Sequence, residues 1–178
     1  MATDSSNVRV AVTGEVSVAP TATAAPTAVD SALTGFVGLG YVGEDGITES
    51  RERSTTDIKA WQNADTVRTV VTDANLSYTF KLIETTEASL ELFYGSAVAG
   101  EKLVVTPATT GGRKSFVIDV EDGEDLLRIY VPEGEVAEVG DVVYASGEPI
   151  GYEVTVRAYP NTAAGGSAVI WASVIETP

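Results

Sequence analysis

A strict alternation of apolar and polar side chains over 76–82 is the feature that most limits the fold of this chain. Leu76, Tyr78, Phe80 and Leu82 alternate with Ser77, Thr79 and Lys81. This two-residue period predicts a strand with one buried face. Further strand-like runs occur at 8–12, 36–42, 66–72, 102–106, 115–121, 124–131, 135–147, 149–159 and 168–175. The chain is therefore predicted to be all-β.

One helix is predicted, within TTEASLELFYG at 85–95. Thr85 or Thr86 can cap its amino end, and Glu87 lies in the first turn, where the helix dipole favours a negative charge. Gly95 suits the position just after the helix. We expect a short flanking helix over about 86–94.

Asp122-Gly123 separates two strand-like runs and predicts a hairpin turn. The surrounding segment DVEDGED, at 119–125, also resembles a calcium-binding loop. An EF-hand loop needs glycine at its sixth position, whereas Gly123 is fifth when counted from Asp119. The hairpin is the favoured interpretation, and weak calcium binding at 119–125 is the alternative.

Residues 47–54, ITESRERS, alternate without producing an apolar face. Ile47, Glu49, Arg51 and Arg53 lie on one side, and Thr48, Ser50, Glu52 and Ser54 lie on the other. An ordinary sandwich strand has an apolar inner face. This strand is therefore expected to meet water, a cavity or another chain.

Two segments lack the pattern of a folded core. Residues 1–30 include the Pro/Ala/Thr-rich stretch APTATAAPTA and are predicted to form an extended amino-terminal arm. Residues 31–178 are predicted to form one β domain, with a long loop at about 54–65. Trp61 in that loop either folds back over its own sheet or anchors a partner, because aromatic residues are enriched at interfaces.

Composition excludes several classes of function. The chain has 178 residues and no cysteine or histidine. Disulfides, the usual zinc sites and Ser-His-Asp catalysis are thus excluded, and carboxylate catalysis is the remaining enzymatic option. We expect no catalytic residues, no cofactor and no metal. The start, MATDSSNVRV, does not resemble a signal peptide, and no apolar run is long enough to span a membrane.

The net charge of −15 argues against binding to nucleic acid through phosphates. An acidic protein can still enclose DNA without adhering to it, and the alternative is that acidity only keeps the protein dispersed. Gly38, Gly40 and Gly43 match the dinucleotide fingerprint G-x-G-x-x-G. The fingerprint requires a helix to begin at its last glycine, whereas EDGITESRERS follows with no helical period. A glycine-containing strand is favoured.

The order of these elements resembles the major tail tube protein of long-tailed bacteriophages. The likeness is greatest over 40–84, GYVGEDGITESRERSTTDIKAWQNADTVRTVVTDANLSYTFKLIE. The resemblance implies a β-sandwich that forms a barrel with its neighbours, one flanking helix and no catalysis. It implies six-membered rings that stack through the arm and the long loop into a helical tube for DNA ejection. Tape measure and tail terminator proteins would be partners, in a virion made in the bacterial cytoplasm.

This interpretation gives the polar segments roles. Arg51, Arg53, Ile58 and Trp61 are the predicted contacts between subunits. Thr48, Ser50, Glu52, Ser54, Ser77, Thr79 and Lys81 are the predicted lumen-facing residues. A monomeric sandwich that binds carbohydrate through exposed aromatics such as Trp61, Tyr41 or Tyr159 is one alternative. A phage head decoration protein is another.

Overall fold

The structure is a computed structural model that describes residues 8–173. It is all-β with one helix, as predicted. The strands are β1 (Thr13–Pro20), β2 (Val37–Gly38), β3 (Val42–Lys59), β4 (Thr66–Leu82), β5 (Val98–Ala99), β6 (Lys102–Leu103), β7 (Lys114–Asp122), β8 (Asp125–Val139), β9 (Tyr152–Ala158) and β10 (Val169–Ala172), and the helix is α1 (Glu87–Tyr94).

One antiparallel sheet contains eight of these strands, in the order β2-β1-β7-β8-β9-β4-β3, with β10 also paired to β8. The long strand β8 divides this sheet. Its first part pairs with β7 and β10, whereas Gly134–Val139 pairs with β9. We call β2, β1, β7, β10 and residues 125–131 the first half-sheet. Residues 134–139, β9, β4 and β3 form the second half-sheet.

Gly134 lies where β8 passes from one half-sheet to the other. A Cβ at this position would lie 2.8 Å from Phe116 Cδ2 of β7 and 2.8 Å from Val156 Cγ1 of β9. These two side chains belong to opposite half-sheets, so the halves face each other across one core. Only glycine leaves room for that approach.

Each half-sheet contributes one face to the core. The fully buried side chains include Val16, Phe116, Ile118 and Val131 from the first half, and Tyr78, Leu82, Val154 and Val156 from the second. The predicted inner face of 76–82 is confirmed, with Leu76 partly buried at its end. Leu92 of α1 joins the same cluster.

The helix has the predicted ends. Thr86 is the N-cap: its Oγ1 accepts a hydrogen bond from Ser89 N at 3.2 Å, and Ser89 Oγ accepts one from Thr86 N at 2.9 Å. Gly95 follows α1 with φ 65°. The predicted hairpin between β7 and β8 is also present, with Gly123 at φ 65°. Within residues 8–173, no helix is long and apolar enough to cross a membrane.

The prediction of an arm over residues 1–30 is wrong for 13–20. These residues form β1, which pairs with β7 along its whole length and buries Val16 completely. The backbone ladder with β7 explains why so short an apolar pattern becomes a strand. The strand predicted at 8–12 is absent, and strand structure begins at Thr13. Residues 1–7 of the predicted arm lie outside the described residues.

Residues 21–36 are fastened across the outer face of the first half-sheet by Arg128. Its guanidinium donates to both carboxylate oxygens of Asp119, at 2.7 and 2.8 Å, and to Ser31 O at 2.6 Å. It also donates to Ala28 O at 3.2 Å. The hydrogen bonds to Asp119 raise the pKa of Arg128. Residues 21–36, whose composition is typical of a free connector, thus lie over the sheet, because Arg128, paired with Asp119, binds two of their backbone carbonyl groups.

The long loop predicted at 54–65 is also wrong. β3 continues to Lys59 and β4 begins at Thr66, so only 60–65 connect them. The strands predicted at 66–72 and 76–82 are one strand. Backbone pairing between β3 and β4 keeps these polar residues extended even though they have no apolar face. A prediction based on the burial of side chains does not detect such pairing.

We expect Gly134→Ala to destabilise the fold by about 1–3 kcal/mol, because the added methyl group overlaps Phe116 and Val156. The matched control is Gly166→Ala, whose Cβ would meet only Ala168 O at 3.8 Å. Urea unfolding of both variants measures the difference. Equal stabilities would show that the passage of β8 between half-sheets does not depend on glycine.

Candidate assembly surfaces

β3 and β4 leave the sheet together as a two-stranded ribbon, defined here as residues 51–75. β9 pairs with β4 only over Leu76–Leu82. Residues 66–75 of β4 therefore have β3 as their strand partner in the described chain. At about 3.3 Å per residue, this part of the ribbon extends roughly 33 Å. A two-stranded ribbon is only marginally stable in water, so we expect it to need a partner.

The tip of the ribbon, residues 60–65, presents Trp61. The side chain of Trp61 is 97% exposed, so it does not fold back over its own sheet. Ala60 N donates to Asp65 O at 2.7 Å and closes the turn. Asn63 and Ala64 have left-handed backbones, with φ 61° and 55°. The indole is thus held at the extreme end of the ribbon with no cover from residues 8–173.

Other large apolar side chains of the ribbon are also exposed: Ile58, Val67 and Val71. Exposed apolar groups on one projecting element are typical of an interaction surface. The ribbon contains four basic residues, Arg51, Arg53, Lys59 and Arg68, and four acidic ones, Glu52, Asp57, Asp65 and Asp73. It has no net charge, so the whole excess of −15 belongs to the rest of the chain.

The seven predicted lumen-facing residues share one face of the second half-sheet. In the register of β3 and β4, Thr48 is opposite Thr79 and Ser50 is opposite Ser77. Glu52 and Ser54 continue that face on β3, and Lys81 continues it on β4. The bulge that would swap the faces lies beyond them, between Ser54 and Thr55. The grouping made from sequence is therefore geometrically consistent, and the lumen assignment stays a prediction.

Three residues of β9 belong to the same polar face and were missed. Glu153 is opposite Lys81, Thr155 is opposite Thr79, and Arg157 is opposite Ser77. Thr79 and Thr155 are joined by a hydrogen bond of 2.9 Å between their hydroxyl groups. The signal was the alternation in YEVTVRA, which places Glu153, Thr155 and Arg157 opposite the buried side chains of the same strand. Glu135 and Glu138 of β8 extend the face further.

Arg51 and Arg53 lie on the other side of β3, at the root of the ribbon. They line a cavity of about 560 Å³ together with Leu76, Tyr78 and Ile170. Arg51 Nε forms an ion pair with Glu49 Oε1 at 2.6 Å. Ile58 and Trp61 lie further along the ribbon and do not line this cavity, so the predicted contact residues form two groups.

The hydroxyl of Tyr78 is buried against this cavity. It makes no hydrogen bond of ordinary geometry within residues 8–173. Burial raises the pKa of Tyr78 well above its usual range, and the nearby Glu49 carboxylate raises it further. The protonated phenol is the form that the folded chain accommodates.

Three of the five carboxylates in the segment 119–125, where calcium binding was the alternative interpretation, have partners within the chain. Asp119 binds Arg128, Asp122 Oδ2 accepts a hydrogen bond from Val10 N at 2.9 Å, and Asp125 pairs with Arg9 at 3.0 Å. Residues 8–173 contain no group of three carboxylates placed to hold a metal ion. The glycine motif at 38–43 leads into β3 rather than a helix, so the requirement of a dinucleotide site is not met.

The family model described as phage tail tube protein matches residues 1–173. This chain belongs to the phage tail tube protein family. Among the curated proteins, nothing matches. A solved sheath–tube complex of an extracellular contractile injection system (PVC), in its extended state, has a similar chain, with 9% identity over 96% of this chain and 99% of that one, at a TM-score of 0.50. A chain from the virion of a native gene transfer agent particle is 9% identical over 78% of this chain and 89% of that one, at a TM-score of 0.41.

Membership of the tail tube family makes this chain a structural component of the virion tail. The resemblance inferred from residues 40–84 is thus confirmed. The similarity to the injection-system chain extends to the fold alone, given its low identity. A structural family is also consistent with a chain that acts without catalysis.

We expect Tyr78→Phe to leave stability at neutral pH within about 1 kcal/mol of the parent, because the lost hydroxyl makes no hydrogen bond of ordinary geometry within residues 8–173. Above pH ~10 the unfolded tyrosine ionises while folded Tyr78 stays protonated, so the parent loses stability as pH rises. The variant should lose less. Urea unfolding between pH 8 and 11 measures this, with Tyr41→Phe as the exposed control. Parallel pH profiles for Tyr78→Phe and the parent would contradict the assignment.

Proposed function

We propose that this tail tube protein assembles into stacked six-membered rings, whose second half-sheets join edge to edge around a central conduit for DNA. The observation that carries the proposal is that the second half-sheet has one face buried in the core, one polar face and two edges that pair with no further strand of residues 8–173. The number six rests on the family resemblance. The related injection-system chain belongs to a sheath–tube complex, which agrees with self-assembly.

The two edges are β3, over Ile47–Ser54, and the last part of β8, over 135–139. In the described chain these segments pair on one side only, with β4 and β9 respectively. The second half-sheet has four strands that alternate in direction. Because the number of strands is even, the first strand, β8, and the last strand, β3, run in opposite directions. Rotation about a ring axis keeps the direction of each strand along that axis. β3 of one copy is therefore antiparallel to β8 of the next copy. Pairing there closes the sheet and removes both edges.

The polar face would line the conduit. The opposite face of the second half-sheet is covered by the first half-sheet and α1, so only the polar face is open to a central channel. It contains hydroxyl groups such as Ser50 and Thr79, and the carboxylates of Glu52, Glu135, Glu138 and Glu153 outnumber the cations of Lys81 and Arg157. Such a surface repels phosphate and lets DNA move. Tape measure and tail terminator proteins are proposed partners at the level of the family.

A monomeric carbohydrate-binding module fits less well. Stacking on a sugar needs aromatic side chains close together on one surface. Trp61 lies at the tip of the ribbon, whereas Tyr41 precedes β3 at its opposite end. Tyr159 is covered by the guanidinium of Arg113, which lies 4.3 Å from its ring centre. These three residues do not form one platform.

Trp61→Ala should prevent or weaken tube formation while leaving the subunit as stable as the parent. A buried interface tryptophan contributes ~2 kcal/mol or more to association, whereas an exposed side chain contributes little to the fold. Negative-stain microscopy at a series of protein concentrations measures assembly, and thermal unfolding of the unassembled subunit measures stability. The matched control is Tyr144→Ala, another exposed aromatic outside the ribbon. Normal tubes from Trp61→Ala would contradict a role for the ribbon tip in assembly.

Glu52→Lys should give tubes that form but retain DNA in a salt-dependent manner. The reversal places a cation on the proposed lumen face, where it can bind phosphate. Co-sedimentation of short duplex DNA with tubes at 50 and 300 mM salt detects retention. Glu101→Lys, in the turn between β5 and β6, is the control for the same change of charge elsewhere. DNA retention no greater than in the control would mean that Glu52 does not face the lumen.

A further inference from the structure

We propose that the ribbon tip, centred on Trp61, docks in a groove beside α1 of a second copy of this chain. The inference extends the proposed function: it assigns the receptor for the ribbon, and it rests on the chain forming tubes. The groove has a volume of about 520 Å³ and lies between α1 and the ends of β1 and β7. Its apolar lining includes Val18, Pro20, Val37 and Ala88.

The size and chemistry of the groove suit an indole. Val37 is 56% exposed, so part of this apolar surface lacks cover in the isolated chain. An indole placed there would remove two exposed apolar surfaces from water at once, that of Trp61 and that of the groove. An apolar site with a polar rim is typical of the pocket that an interface anchor fills.

The charges at the rim match those beside Trp61. Lys59 immediately precedes the tip and Asp65 is its last residue, and both are exposed. The groove has Glu87 and Glu91 on α1, and Arg113 and Lys114 at the start of β7. Glu91 already accepts a hydrogen bond from Val98 N, and Arg113 pairs with Glu133. Glu87 and Lys114 therefore carry the complementarity, towards Lys59 and Asp65 respectively.

The tip and the groove lie towards opposite ends of the subunit. β4 begins at the tip and runs 17 residues to Leu82. α1 begins at Glu87, shortly after β4 ends. The ribbon cannot reach the groove of its own chain, so each copy presents a tip at one end and a receptor near the other. Contacts of this head-to-tail kind repeat without closing, which is the geometry of a stack.

Three other cavities fit the tip less well. The cavity with Arg51 and Tyr78 lies at the root of the ribbon itself. A groove lined by Glu15, Glu84 and Glu121 offers no basic residue to Asp65. A third, beside Phe93 and Pro107, borders residues 136–139 of β8, which are the proposed edge for ring closure. The groove beside α1 combines an apolar floor, both signs of charge and a position away from that edge.

Engineered disulfides test the contact directly, because the chain has no cysteine. The variant Trp61→Cys/Ala88→Cys is assembled into tubes, oxidised and separated on a non-reducing gel. The proposal predicts a ladder of covalent multimers in assembled material and monomer in dilute, unassembled material. Trp61→Cys/Pro107→Cys is the matched control, since it offers the cysteine in the groove that borders β8. Tubes that give no ladder with Ala88→Cys, or a ladder of equal yield with Pro107→Cys, would overturn the proposal.

A charge exchange covers the case in which loss of Trp61 prevents assembly. Lys59→Glu and Glu87→Lys should each raise the protein concentration needed for tubes roughly two- to five-fold, by placing like charges together. The double variant should return it close to the parent value. A double variant no better than the worse single variant overturns the contact. If the parent chain itself forms no tubes under any condition, the proposed function fails instead, and the two outcomes are distinguishable.

Discussion

The pairing between β4 and β9 covers Leu76–Leu82 and stops at Leu76, and the rest of the molecule depends on this limit. From Leu76 to Leu82, β4 is a central strand with neighbours on both sides, and its alternating side chains help to fill the core. Over residues 66–75, β4 pairs only with β3 in the described chain, and the outer backbone edges of the two strands face water. One pair of strands is therefore core at one end and projecting ribbon at the other. The core fixes the direction in which the ribbon leaves the subunit.

Local signals in the sequence predicted the elements whose causes are local. The hairpin at Gly123, the cap at Thr86 and the inner face of 76–82 each follow from a few adjacent residues, and all three are present. β1 and the extension of β3 to Lys59 were missed because their extended backbones depend on other strands of the chain. β1 depends on β7, about a hundred residues later, and the polar residues 54–59 depend on β4. Propensity scales describe side chains and are insensitive to such pairing.

The candidate surface was predictable in part for the same reason. Alternation alone grouped the polar residues Thr48, Ser50, Glu52 and Ser54 on one side of β3, and Ser77, Thr79 and Lys81 on one side of β4. The register of these two adjacent strands places both groups on the same face of the sheet. Residues of β9 entered only when its pairing with β4 was known. Nothing in the sequence pattern indicated the groove beside α1, since its walls come from segments near residues 18, 37, 88 and 114. A surface made from one hairpin can be predicted from the sequence pattern, whereas a surface made from four separated segments cannot.

The free edges also limit which pairings the chain can make. Exposed strands invite indiscriminate association unless bulges or charges interrupt them. β3 has a register shift between Ser54 and Thr55, and β8 has one between Val136 and Glu138. Each shift bends its strand and ends the regular ladder, so a neighbour can pair with only a short stretch of either edge. Two short edges that run antiparallel in the proposed ring favour one partner in one register. The same interruptions that limit indiscriminate pairing of the isolated subunit thus favour the closed ring proposed above, in which the neutral ribbon would connect copies in the remaining direction.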